Sequence, residues 1–344
     1  MIRKYRWLIT VLIIYYAVFY GCGALLASGG NGAYMLSAAG ALFSFGLYTL
    51  LWNKAPSYKS KSVSSAIRKV TGLLLLISLI VQATAVCTLS VSSVSATFMK
   101  HSPFPYLLIF FIVPALFAGY SGIKAVARYA FIGGIGIIFM IFLILLFASG
   151  DYSAKNIFPL TGRIFSEPVA NIITAVSLYS NLMYLYIIGD SPRQKPSVAE
   201  SAKVILISGS VFTSICLICS LTVPYEAIAH ISDPLLYVAS TVDFSFLVER
   251  SEGLVLMIRL FTSFICICAL ICLLCKISKD AFALKDSKAL IWIYALIISS
   301  GALITDKTHT VDFLIRFSAI WTLGVSATIS LILRLAGKVK KDII

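Results

Sequence analysis

The chain has 344 residues, 60% of them hydrophobic and only 12% charged, and its mean hydropathy is +0.97. A soluble globular domain carries about 25% charged residues, so the composition excludes one and leaves length for little besides membrane helices of about 20 apolar residues each. The formal charge of +14 in such a chain reports loop topology, not nucleic-acid binding.

Apolar runs predict ten spanning helices, at approximately 8–27, 33–52, 70–97, 104–119, 126–149, 169–188, 203–224, 246–275, 289–305 and 311–335. The start, Arg3-Lys4-Tyr5-Arg6 before an apolar run, resembles a signal peptide. That run is longer than the roughly 7–15 residues of a signal core, so we read a retained first helix. Inside it lies Tyr20-Gly21-Cys22-Gly23-Ala24, two glycines where a spanning helix favours Leu or Ala. Glycine weakens a helix by roughly 1 kcal/mol relative to alanine. Broken backbone in a bilayer survives only where protein or water satisfies it. The stretch therefore predicts either a close helix–helix contact or the half-broken helix of a transporter-type site.

In the third run, Gln82 and Thr84 interrupt a Leu/Ile-rich surface, either to bond a neighbouring helix or to line a site. Eight cysteines, among them Cys216-x-x-Cys219 and the Cys268, Cys272 and Cys275 face, lie in apolar runs without a nearby His or carboxylate. They read as packing residues, with no disulfide framework and no metal site. His101, His230 and His309 are isolated, and no nucleophile–base arrangement or phosphate loop occurs. No catalytic residue, cofactor or metal is expected, and the chain is not read as an enzyme.

Ten helices divide into two sets of five, which makes related halves inverted in the membrane. We expect one transmembrane domain over 1–344, with inverted repeats at approximately 8–149 and 169–335. Such repeats hold their ligand at the midplane on discontinuous helices, so the first helix of each half is the one to inspect. In the second half it carries the polar patch Ser177-Leu178-Tyr179-Ser180-Asn181. The expected ligand-binding residues are Tyr20, Gly21, Cys22, Gly23, Ala24, Gln82, Ser177, Tyr179, Ser180 and Asn181.

Beyond the seventh run, Pro224, Pro234 and Leu235-Leu236-Tyr237-Val238 predict a short helical hairpin on the outer face, either a cap or a gate. Arg259 lies ten residues past Glu249, roughly 15 Å along a helix. A charge at that depth costs about 2.5–3.5 kcal/mol on insertion scales and must face the bundle interior or water. Glu252 shares its face. Glu249, Glu252 and Arg259 are assigned a structural or gating role, whereas Arg316, one turn into the last helix, has room to snorkel outward. Most of the 28 basic residues fall at the N-terminus and in the connections on its side, including Lys59, Lys61, Arg68, Lys124, Arg128, Arg193, Lys276, Lys279 and Lys288. Both termini are therefore expected to be cytoplasmic.

Three stretches carry a family resemblance. Gly122-Ile123-Lys124-Ala125-Val126-Ala127-Arg128-Tyr129 opens the fifth helix, Asn156-Ile157-Phe158-Pro159-Leu160 follows in the next outer loop, and Pro234 precedes Phe246-Leu247-Val248-Glu249-Arg250-Ser251-Glu252. In order and spacing they resemble the spore germination permeases, the B-type subunits of nutrient germinant receptors in the amino acid–polyamine–organocation transporter superfamily. The resemblance implies an all-α fold with first and sixth helices broken around a central site. It also implies the inner membrane of a spore, a large membrane-anchored A-type partner and a C-type lipoprotein partner. The family's first helix often carries a Leu-Pro after its glycines, where this chain has Leu25-Leu26-Ala27, and many relatives carry an acid in the sixth helix, where it has Asn181.

The first reading is a nutrient-sensing, permease-like subunit that binds a small solute such as an amino acid and signals to its partners, with membrane lipid around it. The second is a secondary active transporter of amino acids or related solutes. The third is a structural membrane subunit without a ligand of its own.

Overall fold

The computed structural model describes residues 2–53, 55, 63–97, 99–188, 196–228, 231, 233–241, 252–284, 288–308 and 310–341. In chain order the helices are α1 (Ile2–Tyr16), a π-helical turn (Ala17–Gly21), α2 (Cys22–Gly29), α3 (Ala33–Asn53), α4 (Ser65–Thr97), α5 (Phe104–Ser121), α6 (Ile123–Phe147), α7 (Pro168–Ser177), α8 (Met183–Ile187), α9 (Val198–Thr222), α10 (Tyr225–Ile228), α11 (Pro234–Thr241), α12 (Glu252–Phe282), α13 (Lys288–Lys307) and α14 (Val311–Lys341). No strand occurs among the described residues.

Eight stretches are long and apolar enough to cross a membrane, and the first of them, Tyr5–Trp52, runs for 48 residues. At 1.5 Å per residue that is about 72 Å, more than twice a hydrocarbon core of about 30 Å, so the stretch must double back. It does so at the short 3-10 turn Gly30–Gly32, where Gly30 has φ 59°, a backbone conformation suited to glycine. Contacts with α9 set the directions. Arg6 pairs with Glu200 at 3.1 Å near one end of α9, and Ser220 Oγ donates to the Asn31 carbonyl at 3.2 Å near the other. Ser37 and Thr213 hydroxyls lie 2.9 Å apart, and a Cβ on Gly209 would meet that of Ala41 at 3.1 Å, so α3 returns antiparallel to α1. Pro168–Ile187 is not one of the eight, because it is interrupted after Ser177.

The interior belongs to the first stretch, α4 and α12, whose apolar windows are 83%, 67% and 72% buried, against 33% for α5, α6 and α13. The exposed faces of those outer helices, with Phe110, Phe117, Ile132 and Leu296, are apolar as a lipid-facing surface must be. Arg6, Arg68, Lys69, Lys124, Arg128, Lys203, Lys276, Lys279, Lys288 and Arg334 gather at the end where α1 begins, which is the basic end of the bundle.

At the opposite end the 153–166 connection is stapled down. Asn31 Nδ2 donates to the Asn156 carbonyl, Asn156 Nδ2 donates to Leu221 O at 3.0 Å, and the Arg163 amide donates to Gly29 O at 2.9 Å. The Asn-x-x-Pro stretch that carries part of the family resemblance therefore ties the Gly30 turn to the end of α9. Nearby Tyr152 donates to Leu145 O at 2.5 Å, and burial raises its phenol pKa. The expected hairpin is present as α10 and α11; residues 229–230, 232 and 242–251, Glu249 among them, lie outside the described residues.

Candidate solute site at two helix discontinuities

The polar patch in the sixth predicted range breaks its helix. Serine and asparagine offer the backbone alternative hydrogen bonds, and here α7 ends at Ser177, whose Oγ donates to Thr174 O at 2.8 Å. Leu178 and Tyr179 turn, Ser180–Leu182 form one 3-10 turn, and α8 resumes at Met183. The interrupted ladder frees carbonyls that a membrane interior must satisfy. Val176 O and Ser180 O keep short backbone bonds from the Tyr179 and Met183 amides, and two side chains of α3 supplement them: Ser44 Oγ donates to Val176 O at 3.3 Å and the Tyr48 hydroxyl donates to Ser180 O at 3.1 Å. Gly40 allows the close approach this needs, since a Cβ there would lie 2.7 Å from that of Ala175.

The first helix departs from α geometry differently. The expected break at Gly21–Gly23 is a π turn displaced toward the N-terminus, Ala17–Gly21, and Cys22, Gly23 and Ala24 lie inside regular α2. A π turn keeps its backbone paired, from i to i+5, so no open backbone group is presented. Two adjacent tyrosines before it are pinned to α4. Tyr15 lies 2.9 Å from Ser90 Oγ, and the Tyr16 hydroxyl donates to Gln82 O at 3.1 Å. Gly21 closes the turn directly against Leu178, and a Cβ at Gly21 would clash with that side chain. The two alternatives for this stretch, close contact and helix irregularity, coexist, and each discontinuity is packed on the other.

Above that contact, toward the end opposite the basic one, a cleft of about 330 Å³ opens between three helices. Tyr20, Ala24, Ala27 and Ser28 form its first wall, Glu167, Ala170, Asn171, Thr174 and Ser177 its second, and Arg316, Ala319 and Ile320 of α14 its third. Glu167 and Arg316 are exposed, while Ser177 is buried at the depth of the discontinuities. The cleft thus offers one acid, one base and short hydroxyls in an otherwise apolar hollow, within the size range of small-ligand sites.

Of the ten expected ligand residues, only Tyr20, Ala24 and Ser177 line this cleft. Cys22 turns toward Cys216 and Cys219 of α9. Gln82 is fully buried in a network: its Nε2 donates to Thr322 Oγ1 at 2.6 Å, and its Oε1 accepts from the Tyr184 hydroxyl at 3.3 Å. Ser78 joins the same threonine at 3.0 Å. Tyr179, Ser180 and Asn181 are buried below the cleft, and Asn181 Oδ1 has no hydrogen-bond partner. Such an orphaned acceptor costs about 1–3 kcal/mol. Glu167, Thr174 and Arg316 were not in the expected set. A stripe at 167, 170, 171, 174 and 177 follows the i, i+3, i+4 spacing of one helix face and is the signal that marks Glu167 and Thr174; no such spacing marks Arg316.

Arg259 faces the interior, as a charge at that depth requires. It pairs with Asp233, donates to Ser93 Oγ at 3.0 Å and lies 5.0 Å over the Phe19 ring in the π turn. Asp233 also caps α11, accepting from the Leu236 amide at 3.3 Å. An Asp followed by Pro at a helix start is a capping signature legible in sequence; its second role is not. Among the described residues, no group of three His, Cys, Asp or Glu side chains has metal-binding geometry.

An all-α integral membrane bundle, with paired helix irregularities below a polar-lined cleft, defines a permease- or transporter-like protein. Solved structures share the fold. A Na+-coupled sialic acid symporter in a substrate-bound outward-open state aligns with TM-score 0.61 at 11% identity, over 96% of this chain and 89% of that one. A manganese transporter from Eremococcus coleocola aligns with TM-score 0.60 at 15% identity, over 97% and 77%. The chain belongs to the spore germination protein family, whose sequence profile matches residues 33–310. No curated protein matches it.

Proposed function

We propose that this protein is the permease-like, nutrient-sensing subunit of a spore germinant receptor, with its solute in the cleft between α2, α7 and α14. The observation that carries this reading is the cleft itself, with Arg316 and Glu167 at its mouth and Thr174 and Ser177 toward its floor. A small zwitterion such as an amino acid fits that chemistry, its carboxylate toward Arg316 and its ammonium toward Glu167. The C-terminal end of α7 adds negative dipole near the floor. In this reading ten crossings form two inverted halves, both termini are cytoplasmic, the basic end faces the spore core, and the cleft opens outward in the inner membrane.

Binding favours one arrangement of the first helix over another, and A-type and C-type partner subunits read the change, since a ligand shifts a conformational equilibrium only through unequal affinity for the two states. Transport is the second reading. The cleft is open at one end, while Arg6–Glu200 and the Lys276 bond to Ile188 O close the other, as one state of an alternating-access cycle would.

Spores carrying Arg316→Gln or Ser177→Leu, with subunit abundance verified, should need at least about tenfold more nutrient for half-maximal germination, as loss of one charge-assisted contact implies. An unchanged dose-response at normal abundance would sink the site. Accumulation of labelled solute by vesicles containing this chain alone would establish transport.

A further inference from the structure

A second cavity, about 420 Å³, lies at the basic end between the α5–α6 turn, α12 and α13, far from the cleft. Lys124, Lys276, Lys279 and Lys288 line it together with Tyr5 and Tyr120, and none of its described lining residues is a carboxylate. Lys124 and Lys279 bring two ammonium groups to the hollow from two different helices, and an anion between them offsets their mutual repulsion.

The backbone adds to the field. Gly122, with φ 78°, turns the chain between α5 and α6, and both Gly122 and Ile123 line the cavity. The N-terminus of the 25-residue α6, the positive end of its dipole, is thus turned to the same hollow.

The surroundings say which anion. Tyr120, Tyr129 and Trp292, on three different helices, are 41%, 65% and 58% exposed at the level of this cavity, which is the aromatic belt expected where a bundle meets lipid headgroups. Farther from the basic end on the same helices, Phe117 and Leu296 are exposed and face hydrocarbon. Phosphate can reach the lysines from the side, with acyl chains along that apolar wall.

We propose that this cavity binds the phosphate headgroup of an anionic phospholipid. Basic hollows between helices at a membrane face suit such headgroups, and each Lys near the surface contributes on the order of 1 kcal/mol to the attraction. Lys276 also donates to Ile188 O at 2.5 Å, at the end of α8, so the cavity shares a residue with the interrupted sixth helix.

The test uses the full chain, purified in detergent and titrated with phosphatidylglycerol, phosphatidylcholine or inorganic phosphate, with bound lipid read by native mass spectrometry and stability by thermal melting. Phosphatidylglycerol should be retained and should raise the melting temperature, and phosphatidylcholine should do neither. A Lys124→Gln/Lys279→Gln double variant should bind about tenfold more weakly, whereas Lys124→Arg/Lys279→Arg and the control Arg68→Gln/Lys69→Gln should bind like the parent. Equal retention by the Gln double variant would overturn the proposal. So would equal loss in the Arg68→Gln/Lys69→Gln control, or stabilisation by inorganic phosphate as strong as by the lipid. If the Gln variant does not fold, parent protein without preference for phosphatidylglycerol over phosphatidylcholine overturns it.

Discussion

The two helix discontinuities solve one problem in opposite ways. At Ala17–Gly21 the first helix widens into a π turn, its backbone stays paired, and a glycine admits the neighbouring Leu178. At Leu178–Leu182 the sixth helix gives up its regular ladder for short turns, and two of its carbonyls take second donors from Ser44 and Tyr48 of α3. A π turn can return to α by sliding one residue without exposing a polar group. The 3-10 break cannot move without stripping Val176 and Ser180 of their side-chain donors. The two breaks thus differ in what holds them, backbone pairing in the first helix and added donors from α3 in the sixth, and Tyr20, which lines the cleft, belongs to the first.

Gly21→Leu should break this arrangement most severely. The clash with Leu178 should lower stability by about 3 kcal/mol, at the upper end of overpacking costs, and reduce membrane abundance. Leu178→Ala in the same chain should restore most of it, because the excess volume then has somewhere to go. A melting curve for the double variant no better than for Gly21→Leu alone would show that the contact is not what Gly21 provides.

Tyr48→Phe should come next, at about 1.5 kcal/mol, by removing the buried side-chain donor to Ser180 O, which keeps only the Met183 amide. Ser44→Ala should cost about 0.5 kcal/mol, because its bond to Val176 O is the longer at 3.3 Å and that carbonyl keeps the Tyr179 amide at 3.1 Å. If Ser44→Ala proved the costlier in thermal melts, the sixth helix would not be held as described.

The smallest effect should have the opposite sign. Asn181→Leu removes an orphaned buried acceptor and should leave stability unchanged or raise it by up to about 1 kcal/mol, while weakening the response to nutrient if that acceptor serves the solute-bound state. A clear fall in melting temperature would mean that Asn181 has a structural partner.

Much of this was legible before the fold. Hydropathy is a local property, so helical segments occupy the ten expected apolar ranges, the eighth described from Glu252 onward. Ser177–Asn181 broke its helix for reasons contained in those five residues. The π turn was not legible, because its register is set by Tyr15 and Tyr16 reaching Ser90 and Gln82, far away in the chain. Arg259 was rightly expected to face inward, but its partner depends on how α11 docks. Arg316, which has room to snorkel, is exposed and also forms a wall of the cleft because α14 packs against α7, and no spacing in sequence announces that neighbourhood.

The most direct test introduces a thiol at the cleft floor. All eight native cysteines are buried, whereas Thr174, toward the cleft floor, is half-buried, so Thr174→Cys should be the site modified when a membrane-impermeant maleimide is applied to the outer face of oriented vesicles. A nutrient that triggers germination should slow that modification at concentrations matching its germination dose-response, and a nutrient that does not should leave the rate alone. Modification of the Thr174→Cys variant that proceeds equally fast with and without the triggering nutrient would contradict a solute site in this cleft.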